Sequence, residues 1–154
     1  MDFTFQILKN MRGIFKDIID NNSLEDLNKI PEGFNNNIIW NIGHIAVTEQ
    51  LLAYKLSGLE VGLSDDMISR FMKGSSPHGD LSIEEMEEIK ALLFSTIEKT
   101  EKDYDAGVFK TYNTYTVSTT GNTLHNINEA LQFIVTHEGI HYGYILALLR
   151  AVKG

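Results

Sequence analysis

Four long segments in which apolar residues recur at three- and four-residue steps make up most of this chain, and that periodicity restricts it to helices packed on one another. The first runs from about Phe3 to Ile19, with Leu8, Met11, Phe15 and Ile18 on one stripe. The second follows Asn35-Asn36-Asn37, where an asparagine side chain can cap the free amides, and continues to Leu56 before Ser57-Gly58 stops it. Its two adjoining stripes, Ile38-Ile42-Ile45-Glu49-Leu52-Leu56 and Trp40-His44-Val47-Leu51-Tyr54, predict a helix buried on more than one side. The third spans Ser82 to about Asp103, with Ser82 and Glu85 as a capping box. The fourth spans about Asn126 to Val152, with Asn126 and Glu129 as a second capping pair. Only two prolines occur in 154 residues, so little interrupts these segments.

Shorter elements fill the gaps. A turn of helix is expected at Ser23 to Lys29, ahead of Pro31, and another at Ser64 to Lys73, ended by Gly74. The stretch TYNTYTVSTTGNT alternates loosely and reads as an ordered loop or short strand pair. The expected architecture is all-α: a single domain over residues 1–154, built as a four-helix bundle. Its longest connection, between the second and third long helices, is too long for adjacent antiparallel partners, which points to a crossover and up-down-down-up order.

Composition removes several classes of function. The net charge of −8 repels a phosphate backbone, which argues against nucleic acid as a partner. There is no cysteine, so disulfides, thiolate-bound zinc and a cysteine nucleophile are excluded. The opening MDFTFQILKNMRG lacks the basic start and unbroken apolar run of a signal peptide, and no stretch is apolar enough to span a membrane. A soluble, cytoplasmic protein is the expectation. The Glu84, Glu85, Glu87 and Glu88 cluster reads as a solvated face favoured by the helix dipole.

The chemistry lies in three histidines. His137 and His141 are four residues apart, so they share one helical face and can chelate one ion. That face is the apolar stripe Ile127-Ala130-Ile134-His137-His141-Ile145-Leu148, and His44 occupies an equally apolar stripe of the second helix. A buried imidazole without a partner costs about 1–3 kcal/mol, and the only polar residues expected nearby are Glu49 and Thr48. One divalent ion satisfies all three nitrogens together, with zinc, nickel or iron each suited to imidazole. His78, in the turn-like SSPHGD, and His125 are expected to be exposed.

His137-Glu138-Gly139-Ile140-His141 also matches HExxH, in which the glutamate of a zinc protease is the general base. Such a protease needs a downstream third ligand, and the remaining YGYILALLRAVKG holds no His, Asp or Glu. The protease is therefore the least favoured reading.

Together, NNNIIWNIGHIA and HEGIHYGYILALLR resemble the DinB-like superfamily, most specifically in the W-x-x-G-H segment Trp40 to His44 and in the run from His137. The resemblance covers nearly the whole chain. It implies an up-down-down-up bundle that binds a divalent metal through His44, His137 and His141, and a homodimer. It also implies a thiol-dependent transferase or isomerase as one class of activity. Lacking cysteine, this chain would take its low-molecular-weight thiol as a cosubstrate. A three-histidine site leaves a coordination position open, where an ion can activate water, acidify a thiol or polarise a carbonyl. Two readings stand: an enzyme acting on small molecules, with Trp40, Tyr54, Ile134 and Tyr144 as expected pocket walls, or a metal that staples the second and fourth helices together.

Overall fold

The computed structural model describes residues 1–154 and contains six α-helices and one two-stranded sheet. In chain order these are α1 (Asp2–Asp20), α2 (Leu24–Asn28), α3 (Ile38–Gln50), α4 (Asp65–Phe71), α5 (Ile83–Asp105), β1 (Tyr115–Thr116), β2 (Thr123–Leu124) and α6 (Ile127–Lys153). The fold is all-α, as expected, and the four long segments are α1, α3, α5 and α6. Each packs against two of the others: α1 and α3 both contact α5 and α6.

The pattern of burial explains this packing. In α1 the buried positions Phe5, Leu8, Arg12, Phe15 and Ile19 fall every three or four residues, leaving the opposite face to the exposed Gln6, Asn10 and Asp17. In α3 every residue except Thr48 is buried, so this helix is walled on all sides. Full burial of an isoleucine contributes about 1.5–3 kcal/mol, and α3 carries four, all buried. One apolar cluster joins Phe15, Ile42, Leu93 and Ile145. A second joins Phe5, Leu52, Ile97 and Ile134.

Side-chain caps set the helix starts. Asn37 accepts from the Trp40 amide at 2.9 Å and opens α3. Ser82 and Glu85 form the expected capping box on α5. Asn126 accepts from the Glu129 amide, but the Glu129 carboxylate accepts from the His125 amide at 2.7 Å, so the expected reciprocal pair is not closed. Asn28 grips Leu81 through both its amide donor (3.0 Å) and its carbonyl (2.9 Å), tying α2 to the start of α5.

One departure concerns the second long segment, expected as a continuous α-helix to Leu56. Its last turn, Leu51–Lys55, is π-helical, and the Leu56 amide donates to the Leu51 carbonyl at 3.3 Å. Such turns are rare and concentrate at functional sites. Beyond it, the segment leading to the hairpin docks on this end of the helix. The Tyr112 hydroxyl donates to the Leu52 carbonyl at 3.0 Å, and Val117 and Leu124 are buried. No helix is long and apolar enough to cross a membrane.

Candidate metal centre

The three histidines expected to act together do meet. His44 from α3 and His137 and His141 from α6 bring one ring nitrogen each to within 4.8 Å of one another. Their ring centroids lie 5.2 Å (His44–His137), 4.9 Å (His44–His141) and 4.4 Å (His137–His141) apart. His44 and His137 are buried and His141 is half-buried. No Asp, Glu, Cys or further His joins the group.

Hydrogen bonds orient two of the rings. His44 Nδ1 lies 2.6 Å from the Phe71 carbonyl, which can only accept, so Nδ1 carries the proton and Nε2 keeps its lone pair. Asn41 plays the same part for His141. Its amide group donates to the Asn37 carbonyl at 2.7 Å and to Asn36 Oδ1 at 3.0 Å, which turns Oδ1 toward His141 Nδ1 at 2.8 Å. His141 Nδ1 therefore donates, and its Nε2 is again the free lone pair. His137 makes no hydrogen bond with the protein; Phe133 packs beside it.

All three rings are held neutral. Burial lowers His44, against the raising effect of its bond to Phe71. Burial, then the neighbouring His141, His44 and Arg12 charges, push His137 down to about 2. Burial, then His44, bring His141 to about 4. Neutral imidazole is the ligating form. A carbonyl or carboxylate oxygen accepting from the other ring nitrogen is the usual partner of a metal-bound histidine. The donor set fits a divalent ion.

The W-x-x-G-H segment has a local cause. Trp40 stacks on His44 at 4.9 Å with 10° between the planes, and its indole donates to the Arg70 carbonyl at 3.0 Å. At Gly43 a Cβ would lie 2.6 Å from the Phe71 ring. Only glycine lets Phe71 approach closely enough for its carbonyl to reach His44.

A cavity of about 570 Å³ adjoins the centre, with all three histidines and Thr48 on its wall. Leu51, Leu52, Leu56, Val117 and Phe133 supply apolar surface, and Lys55 and Lys73 are its charged residues. The expected walls are not there. Tyr54 turns away to Asp103, Ile134 sits in the core, and Tyr144 packs on Phe34. Trp40 touches His44 from outside the cavity. The real walls come from the π turn and the hairpin, whose positions the helical periodicity does not encode.

Glu49 is not a histidine partner: it is buried, accepting from Thr100 at 2.6 Å and from Gln50 at 3.1 Å. Thr48 is one, with its hydroxyl 3.2 Å from His44 Nε2. Glu138 faces away from the histidines. Its Oε1 accepts from Arg12 Nη2 at 2.7 Å and Nε at 2.9 Å, with both side chains fully buried. This is no place for a proteolytic base. Burial pushes the Glu138 carboxyl up, against the pull of Arg12. Arg12 was legible only as an arginine standing on the stripe between Leu8 and Phe15. His78 and His125 are exposed and outside the cluster.

The sequence over residues 7–145 matches the family model of the DinB superfamily, and the chain belongs to that superfamily. No curated protein matches it.

Proposed function

We propose that His44, His137 and His141 hold a divalent ion, zinc or nickel foremost and iron as the alternative, and that the protein is an enzyme acting on small molecules at that ion. The observation that carries this reading is the position of all three neutral imidazoles on the wall of a cavity large enough for a small substrate. A purely structural staple is normally closed by a fourth protein ligand, and none stands in the cluster.

When bound, the ion supplies a positive charge that neutral imidazoles do not cancel, which acidifies a thiol or water at its open position. The chain's own residues do the rest. Asn41 and Phe71 fix the tautomers of His141 and His44. The Thr48 hydroxyl, beside His44 Nε2 and on the cavity wall, can donate a hydrogen bond to a group arriving there. Leu51, Leu52 and Phe133 exclude water from one side, which strengthens every charge interaction inside.

The reaction class we propose is transfer of a low-molecular-weight thiol to a small electrophile, or hydrolysis of one. Up-down-down-up order belongs to the same reading. Supporting it, Asp20 near the end of α1 meets Lys90 near the start of α5, and Asn41 early in α3 meets His141 late in α6. We further take the protein to be a cytoplasmic homodimer. The test is to assay metal-loaded protein with a panel of thiols and a chlorinated aromatic or epoxide acceptor, with a hydrolysis panel beside it. Turnover lost in a His141→Ala variant is expected. Uncatalysed rates in both panels would leave the staple as the better account.

A further inference from the structure

The cavity's charge is unlike that of the chain around it. Acidic residues outnumber basic ones by 21 to 13 in the whole sequence, yet no carboxylate lines this cavity, while Lys55 and Lys73 do. Neither lysine has a carboxylate within ion-pair distance, a state they share with Lys29, Lys102 and Lys110, none of which lines the cavity, whereas Lys9, Lys16, Lys90, Lys99 and Lys153 are all paired. The Lys73 amine donates to the Ser118 hydroxyl, a neutral partner that bridges the segment after α4 to the hairpin and leaves the charge uncancelled.

The two amines reach the cavity from different segments of the chain. Lys73 follows Phe71, whose carbonyl holds His44, by two residues. Lys55 lies eleven residues beyond His44 on the same helical run, about 16 Å along the axis at an ordinary helical rise. Leu51, Leu52, Val117 and Phe133 line the same space. A ligand filling it meets imidazole, hydrocarbon and ammonium on one wall.

We infer that the substrate is a small amphipathic anion, with an apolar body against the leucines and Phe133 and a carboxylate or phosphate on Lys55 and Lys73. This rests on the function proposed above, whose substrate class it names. The net charge of −8 repels anions from the surface at large, but screening at physiological salt limits that field to about 8 Å. Two uncompensated lysines on an acid-free wall then decide the local sign.

The test is calorimetric titration of metal-free and zinc-loaded protein with octanoate, octyl phosphate, octanol and octylamine. The metal-free protein is expected to bind both anions at least about fivefold more tightly than octanol, and octylamine more weakly still. A Lys55→Gln/Lys73→Gln variant should lose that preference while binding octanol unchanged. A Lys102→Gln/Lys110→Gln variant, with the same loss of charge away from the cavity, should keep it. The inference is overturned if no octyl compound binds, if anion and alcohol bind equally, or if the preference survives in Lys55→Gln/Lys73→Gln. A preference seen only with zinc present also overturns it, because the anion would then sit on the ion, and the metal reading would stand without it. Lysine-dependent binding by a protein that takes up no metal would do the reverse, keeping the ligand class and removing the reaction.

Discussion

His137 and Glu138 are consecutive residues of α6, both buried, yet they belong to opposite kinds of polar site. Glu138 points into the interior and meets Arg12, which also donates to the Leu93 carbonyl at 3.3 Å. Only Glu138 Oε2 is left there without a partner. His137 points the other way, to two imidazoles whose protonated nitrogens are held by carbonyl oxygens and whose lone pairs meet no more than the Thr48 hydroxyl. The first site pairs its two charges within the chain and leaves only Oε2 unmet, whereas the second needs something from outside. Burial alone does not separate fold from function here; the direction of the unsatisfied valence does.

Removing Arg12 gives the largest expected effect. An Arg12→Met substitution leaves a buried, unpaired carboxylate, so stability in urea should fall by about 3–5 kcal/mol. Replacing both partners, Arg12→Met with Glu138→Met, should recover most of that loss, because two apolar groups need no compensation. A double variant as weak as the single one would show that the pair does more than satisfy its own charges.

Next is the link that orients His141. An Asn41→Leu substitution removes the acceptor from Nδ1, and zinc affinity should drop about 10–100-fold while the protein stays folded. Competition with a chromophoric chelator measures this directly. An unchanged affinity would mean that ring packing alone holds the tautomer.

Acid titration of metal-free protein sharpens the contrast by its sign. His137 and His141 have folded values of about 2 and about 4, below the ordinary 6.5, so the unfolded chain binds more protons between these limits. Their stabilising contribution is whole above pH 6.5 and is lost as pH falls, down to about 4 for His141 and on to about 2 for His137. Between pH 7 and pH 5 the loss should be on the order of 2 kcal/mol for each ring, given about 1.4 kcal/mol per pKa unit. Parallel urea melts at pH 7 and pH 5 should show a smaller difference in a His141→Gln variant, which retains Glu138 and the other carboxylates. An equal difference would assign the acid sensitivity elsewhere.

Much of this was readable from residues alone. Helix periodicity locates α1, α5, α6 and the start of α3 to within about two residues, because their stripes face a shared core and apolar spacing reports that directly. The histidines were legible for the same reason: imidazoles on stripes otherwise filled by Ile, Leu and Val are conspicuous. Arg12 was not read, since one arginine on an apolar stripe gives no sign of which distant carboxylate it will meet. The cavity walls were misplaced because they depend on tertiary placement. The π turn at Leu51–Lys55 and the docking of Tyr112 on Leu52 are set by packing between segments about sixty residues apart, which no local spacing records.

The central claim is that three histidines from two helices form one metal site, and elemental analysis of dialysed protein tests it most directly. After loading with zinc or nickel, the wild-type chain should retain about one ion. His44→Ala, His137→Ala and His141→Ala should each retain almost none, while His78→Ala and His125→Ala retain it in full. Unchanged metal in all three single variants, or an equal loss in the His78 and His125 controls, would contradict the site.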